Sequence, residues 1–148
     1  MKFFAAAAAI SSLAAFVAAA PAASCPEATR YGVATVSPTT VAAGDTVTIK
    51  ADFTCAVQHF NHVPMYTDYI LKVPVNNNGY ELPYVLAHHD LAPGTLNEEF
   101  SIPHGYFWNA SYDIAMQMTF PQNGTDGSPY YTYGGVYLPV DITTVNVS

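Results

Sequence analysis

Hydrophobic and polar residues alternate along two segments of this chain, residues 46–53 and residues 112–120. Successive side chains of a β-strand point to opposite faces of a sheet, so this period of two predicts two strands that each bury one face. Weaker versions of the same pattern predict five further strands, at residues 32–37, 69–75, 82–87, 98–102 and 130–142.

Proline and glycine residues separate these segments at short intervals, and no amphipathic helical pattern follows the amino-terminal segment. Short β-rich runs between such turn formers are typical of antiparallel sandwiches. We therefore predict an all-β fold, an immunoglobulin- or fibronectin-like antiparallel β-sandwich of about seven strands. The pair Gly134 and Gly135 predicts a bulge or kink in the last strand.

The amino-terminal segment has the features of a secretory signal peptide. Lys2 precedes an alanine-rich apolar stretch, and small residues surround a cleavage site after Ala22 or Ala23. A membrane anchor is the alternative, but alanine contributes little to bilayer insertion and no basic cluster follows. The sequence thus predicts a leader at residues 1–22, a single β-sandwich domain at residues 23–148, and a secreted, extracellular product.

Two further features fit an oxidising, extracellular compartment. Cys25 and Cys55 are the only cysteines of the chain, and an even pair in a secreted protein predicts a disulfide. The loop that they close, about 30 residues, would stabilise the fold by about 3–4 kcal/mol. Sequons for N-glycosylation occur at Asn109, Asn123 and Asn146.

Charge and composition exclude several classes of partner. The formal net charge is −7, and only 10% of the residues are charged. A chain this acidic cannot neutralise phosphates along its length, so we expect neither a nucleic acid nor an anionic membrane surface as partner. A hydrophobic fraction of 51% and an aromatic fraction of 14% also exclude a disordered chain.

Four histidines are weak candidates for metal ligands. His59 and His62 have a spacing compatible with metal binding in a loop, and His88 and His89 stand together before Asp90. Adjacent side chains of an extended strand point to opposite faces, so His88 and His89 converge only if they lie in a turn. Solvated histidines are the alternative, and the sequence predicts neither a metal site nor another cofactor.

Signals for catalysis are weaker still. The chain has no G-x-S-x-G nucleophile motif, and both cysteines are expected in the disulfide. Glu98 and Glu99 would diverge in a strand, so they do not form a pair of catalytic acids. We therefore predict a protein that is not an enzyme and has no catalytic residues.

Aromatic side chains form the second group of candidates. Exposed tyrosine and tryptophan residues anchor protein interfaces and stack on sugar rings. Tyr131 and Tyr133 share one face of a strand, whereas Trp108 directly precedes a sequon and is expected in a surface loop. Filling of the sandwich core is the alternative for about half of these aromatics. The candidate binding patch consists of Tyr66, Trp108, Tyr131, Tyr133 and Tyr137.

Several short motifs are similar to those of one family of secreted fungal proteins. They are VSPTTV at residues 36–41, GDTVTI at 44–49, YTDYIL at 66–71, LAPG at 91–94 and FSIP at 100–103. Through them the chain resembles the necrosis-inducing secreted protein family of fungal effectors. The resemblance implies a non-enzymatic effector that suppresses plant immune signalling by binding receptor-associated kinases. The cysteine pair, the His-His dipeptide and the tyrosine-rich last strand fall outside the family's pattern.

Two classes of function remain open at this point. An effector needs one exposed patch that binds a host protein, for which the resemblance names receptor-associated kinases. A carbohydrate- or cell-wall-binding module needs a row of aromatic side chains on a sheet face or loop edge and would bind a cell-wall polysaccharide. Neither class requires insertion into a membrane.

Overall fold

Eight β-strands form the framework of the computed structural model, which describes residues 24–90 and 95–144. A short 3-10 helix (Glu27–Thr29) precedes the first strand, and one short helix, α1 (Thr54–Gln58), follows the third. The strands are β1 (Val33–Ser37), β2 (Thr40–Val41), β3 (Thr46–Asp52), β4 (Tyr66–Lys72), β5 (Tyr84–Asp90), β6 (Thr95–Ser101), β7 (Ser111–Asn123) and β8 (Pro129–Ile142).

The strands form two sheets that pack against each other. Strands β1, β3 and β6 make an antiparallel sheet, and β2, β8, β7, β4 and β5 make a second sheet in that order. All pairs are antiparallel except β2 with β8. This order is that of immunoglobulin-like sandwiches, in which the first strand crosses from one sheet to the edge of the other. The predicted all-β sandwich is therefore confirmed.

The core lies between the sheets, and the two segments with the clearest alternation supply about half of it, with the rest from β2, β4, β6, β8 and the loops. Val47, Ile49 and Ala51 of β3 are buried, while their neighbours are more exposed. In β7 the even-numbered positions from Tyr112 to Phe120 are buried in the same way. Sheet faces that meet in a sandwich exclude water from every second residue, which confirms the predicted buried faces.

Several strand boundaries differ from the prediction by up to three residues; β5 ends at Asp90 and not at residue 87, and β6 begins at Thr95 and not at residue 98. Strand β4 begins at Tyr66, three positions before the predicted start at residue 69. The structure also has one strand more than predicted, the two-residue β2. Strand β2 carries no alternation of its own, because its position is set by pairing with Asp141 and Ile142 in β8.

The predicted bulge at Gly134 and Gly135 is wrong. Strands β7 and β8 pair without a register shift over their whole length. The two glycines instead allow close approach of neighbouring groups. A Cβ atom on Gly134 would lie 2.6 Å from the ring of Tyr31, and one on Gly135 would collide with the carbonyl oxygen of Met116. The register shift in this sheet lies between Tyr69 and Ile70, against β5.

The predicted disulfide between Cys25 and Cys55 is present and joins the segment before β1 to helix α1. It is not the inter-sheet bridge of antibody domains, which links the second strand to a later one. The predicted leader, residues 1–22, lies outside the described residues. Within residues 24–90 and 95–144, no helix is long and apolar enough to cross a membrane.

Candidate functional site

Four of the five residues predicted as a binding patch lie on the outer surface of the five-stranded sheet. In β8, Leu138 and Val140 are buried, so the odd-numbered residues of this strand face outward. The side chains of Tyr131, Tyr133 and Tyr137 are 62%, 70% and 53% exposed. Tyr66 also faces outward, because the next residue of β4 is buried. We call Tyr66, Tyr131, Tyr133 and Tyr137 the tyrosine face.

Cross-strand register arranges the tyrosine face in rows. Tyr133 pairs with Thr119 of the central strand β7, and Thr119 pairs on its other side with Tyr66. In a second row, about 13 Å along the strand, Tyr137 pairs with Ala115. Thr119 and Ala115 are buried although they point away from the core. The flanking large side chains therefore cover the centre of the sheet, and this outer surface is continuous.

A polar row separates the two tyrosine rows. It runs across the sheet through Gly135, Gln117, Asp68 and His88, which are successive cross-strand partners. Gly135 contributes no side chain, so the polar row extends less far from the sheet beside β8 than it does towards β5. The tyrosine face therefore has a polar strip between two aromatic borders.

His88 is the residue of this polar strip that becomes positively charged when it is protonated. Its Nδ1 lies 2.6 Å from Oδ1 of Asp68, and its Nε2 lies 3.5 Å from Oδ1 of Asp90. The hydrogen bond to Asp68 raises the pKa of His88, and the charges of Asp68 and Asp90 add to that effect. The imidazole ring lies 5.1 Å from the ring of Tyr66. A proton on His88 is thus a positive charge next to a tyrosine of the face.

A second cation lies at the other border of the strip. Lys72 Nζ of β4 lies 5.0 Å from the ring centre of Tyr137, in the range of a cation–π contact. The contact positions the Tyr137 ring beside a charged group. The tyrosine face therefore combines aromatic area with donors and acceptors of both charges.

Trp108, the fifth residue of the predicted patch, lies elsewhere. It belongs to the 102–110 loop before β7 and borders a cavity of about 320 Å³ at the end of β4. The other lining residues come from the segment after β4 and, in the case of Ala110, from the same loop as Trp108: Val73, Asn76, Asn77, Tyr80, Glu81 and Ala110. The structure thus separates the predicted patch into two sites.

Glu81 is the residue of this cavity that the sequence did not indicate. It is only 9% exposed, and its Oε2 accepts a hydrogen bond of 2.7 Å from the hydroxyl of Tyr112. That hydroxyl accepts a bond from the backbone N–H of Trp108. The Asn77 amide donates to the backbone oxygen of Glu81 and accepts from its N–H. A glutamate in a loop of asparagine and glycine residues is expected to be solvated, so the sequence gives no signal of its burial.

The electrostatic effect of Glu81 is visible on the two nearby phenols. Burial, followed by the hydrogen bond to Glu81, raises the pKa of Tyr112. Burial and the Glu81 charge also raise the pKa of Tyr84, whose hydroxyl donates to the backbone oxygen of Tyr106 at 3.3 Å. The cavity therefore borders a region of negative potential.

The four candidate histidines do not converge. His88 and His89 lie in β5 and point to opposite faces of the sheet, as the alternation of a strand requires. The Nε2 atom of His89 lies 2.9 Å from Oε2 of Glu98, but the two atoms do not have hydrogen-bond geometry. His62 Nδ1 contacts the backbone oxygen of Arg30 at 2.8 Å, and His59 packs edge-on against Phe60. Among the residues that the structure describes, no three His, Cys, Asp or Glu side chains are placed to hold a metal ion.

Two of the three sequons lie in described, exposed positions. Asn109 is exposed next to Trp108, and Asn123 is the exposed last residue of β7. Asn146 lies outside the described residues. Glycosylation at these sites stays a prediction.

No protein-family model matches this chain, and no curated protein matches it either. The resemblance to the necrosis-inducing effector family therefore stays a prediction.

Proposed function

We propose that this chain is a non-catalytic binding protein that recognises a partner protein through the tyrosine face. The observation that carries the proposal is the placement of Tyr66, Tyr131, Tyr133 and Tyr137 on one continuous outer sheet surface. Three of these side chains, Tyr131, Tyr133 and Tyr137, are more than half exposed. Exposed aromatic side chains grouped on one surface, with polar groups between them, are typical of protein interaction sites.

The composition of the face supports a protein as partner. Tyrosine supplies large contact area with few rotatable bonds, and it is enriched at protein interfaces. Here the tyrosines alternate with Asp68, Gln117, His88 and Lys72, which can form directional polar contacts. An interface core of aromatic residues with polar groups between them is the usual anatomy of such sites.

The wider biological proposal rests on the sequence resemblance. A secreted effector of the necrosis-inducing type would bind a receptor-associated kinase of a host plant and suppress immune signalling. The confirmed disulfide supports a passage through an oxidising compartment. The tyrosine face supplies a surface on which such binding could occur without any catalytic group.

The experiment measures binding of the chain without its predicted leader to purified plant receptor-associated kinases, by biosensor. Tyr133→Ala should weaken binding by about tenfold or more, as expected of an aromatic interface anchor. Tyr106→Ala is the matched control, because Tyr106 is 73% exposed, against 70% for Tyr133, and lies outside the tyrosine face. Equal loss in both variants, or no binding to any kinase, would contradict the proposal.

A second candidate function is binding of an extended cell-wall polysaccharide. The polar strip of Gly135, Gln117, Asp68 and His88 favours it, because a low polar floor between aromatic borders can hold a sugar chain. Sedimentation with insoluble plant and fungal polysaccharides tests this candidate. Gln117→Ala should then reduce retention along with Tyr133→Ala, whereas a kinase interface depends mainly on the tyrosines.

A further inference from the structure

The cavity beside Trp108 has a negative group that nothing in the described chain neutralises. Glu81 lines it, and its Oε1 is buried without a hydrogen-bond partner among the described residues. No lysine or arginine is among the lining residues. Beyond the predicted leader the chain has only three such cations, Arg30, Lys50 and Lys72. Burying a carboxylate is unfavourable unless a donor or a positive charge accompanies it.

The walls of the cavity are aromatic. Trp108 and Tyr80 border it, and both side chains are at least half exposed, so their rings are available to a ligand. The faces of tryptophan and tyrosine rings attract ammonium and guanidinium groups. A carboxylate below aromatic walls therefore favours an organic cation on two independent grounds.

The negative charge of Glu81 favours a cation over a neutral sugar in the same place, although the Asn76 amide also lines the cavity as a polar group. A saccharide ring presents several hydroxyl groups, each of which needs a partner when buried. Of the polar lining groups, the Asn77 amide is already bonded through both its oxygen and its nitrogen to the backbone of Glu81. Glu81 Oε2 is occupied by Tyr112. A cation needs only the uncompensated negative charge of Glu81 beneath the cavity and a ring face.

The geometry points to a binding site for an organic cation, an alkyl ammonium or guanidinium group, between Trp108, Tyr80 and Glu81. A cavity of about 320 Å³ lies at the lower end of the volumes that hold small ligands. It accommodates a single side chain of lysine or arginine type, or a short free amine. The acidic net charge of the chain adds long-range attraction for such ligands. This site is separate from the proposed function of the tyrosine face.

Trp108 is the only tryptophan of the chain, so its fluorescence reports on this cavity alone. The titration compares 1,5-diaminopentane with 1,5-pentanediol, which has nearly the same shape and no charge, at low salt and neutral pH. Agmatine tests the guanidinium group, cellobiose tests a neutral sugar, and a capped lysine tripeptide tests a side-chain source. We expect saturable changes with the cations, with the diol and the sugar inactive. A free-amine site prefers the diamine over the tripeptide, and a peptide-recognition site shows the reverse.

Glu81→Gln keeps the shape of the side chain and an acceptor for Tyr112, but it removes the charge. It should weaken diamine binding by about tenfold or more. Glu99→Gln is the matched control, an exposed glutamate on β6 remote from the lining residues. Tyr80→Ala removes an aromatic wall whose side chain is mostly exposed, so it tests the site even if Glu81→Gln unfolds the protein.

Three results would overturn the inference. They are equal responses to diamine and diol, unchanged diamine binding in a folded Glu81→Gln variant, and no saturable response to any cation. Tyr133→Ala should leave diamine binding unchanged, whereas Glu81→Gln should leave the tyrosine face intact. Failure of this inference is therefore distinguishable from failure of the proposed function.

Discussion

His88 and Asp68 form a hydrogen-bonded pair across the neighbouring strands β5 and β4, with 2.6 Å between Nδ1 and Oδ1. The pair lies on the outer sheet surface, between the two rows of the tyrosine face. Because Asp68 and Asp90 are the charged groups that contact His88, they set the pH range over which this surface changes charge.

The pKa of His88 should lie above its ordinary value of 6.5 and fall towards that value in Asp68→Asn, because the hydrogen bond to the Asp68 carboxylate, which does most to raise it, is then removed. Titration of the histidine ring signals by NMR measures both values, and His88→Gln assigns the signal. Asp113→Asn, a carboxylate of the same sheet surface next to Lys72, serves as control. An unshifted His88 in the unmodified protein would contradict the structure.

The same pair should make stability depend on pH. Since the folded pKa of His88 is raised, its contribution is fully present below pH 6.5 and is lost as the pH rises through the folded pKa. Urea unfolding at a series of pH values should show this decline in the parent protein, and Asp68→Asn should reduce it. Persistence of the full decline in Asp68→Asn would assign it to other groups.

The Tyr112 hydroxyl should be important for stability because it both accepts and donates buried hydrogen bonds. Tyr112→Phe leaves Glu81 without its donor and the N–H of Trp108 without its acceptor. We expect the free energy of unfolding to fall by about 1–3 kcal/mol. Chemical denaturation measures it, with Tyr130→Phe as control at an exposed tyrosine. Equal effects in the two variants would show that the hydrogen bonds of Tyr112 are dispensable.

How far the sequence predicts this molecule depends on where the deciding contacts lie. Alternation identified β3 and β7 because every second residue of a strand is hydrophobic when one face of its sheet packs against another sheet. It also placed His88 and His89 on opposite faces. The burial of Glu81 gave no such signal, because Tyr112, whose hydroxyl donates to its side chain, lies 31 positions later. Trp108 was grouped with the tyrosines for the same reason, since its cavity is built by a distant loop.

Gly135→Ala should destabilise the sheet although alanine is small. The added Cβ would collide with the carbonyl oxygen of Met116, a backbone atom of the neighbouring strand that cannot rotate away. Overpacking of this kind reduces the free energy of unfolding by about 1–3 kcal/mol. Thr132→Ala, at an exposed position of the same strand, should change it by less than about 0.5 kcal/mol. Thermal or urea unfolding compares the two, and a neutral Gly135→Ala would show that the strands can separate locally.

Removing the disulfide should lower the free energy of unfolding by about 3–4 kcal/mol, because the open chain gains entropy mainly in its unfolded state. Cys25→Ser combined with Cys55→Ser makes the change, and addition of a reductant to the parent protein should reproduce it. The double variant itself should be insensitive to the reductant. A reductant effect on that variant would point to a cause other than this bond.

Strand β2 depends for its pairing on the carboxyl-terminal strand β8. Its two residues pair only with Asp141 and Ile142, about 100 positions further along the chain, whereas β1 and β3 are neighbours in sequence. Such a non-local contact forms slowly and raises the contact order of the fold. During synthesis, the edge of the large sheet cannot be completed until the carboxyl-terminal strand has emerged. A chain truncated before β8 would therefore expose both the edge of β7 and the unpaired segment at Thr40 and Val41, with the attendant risk of aggregation.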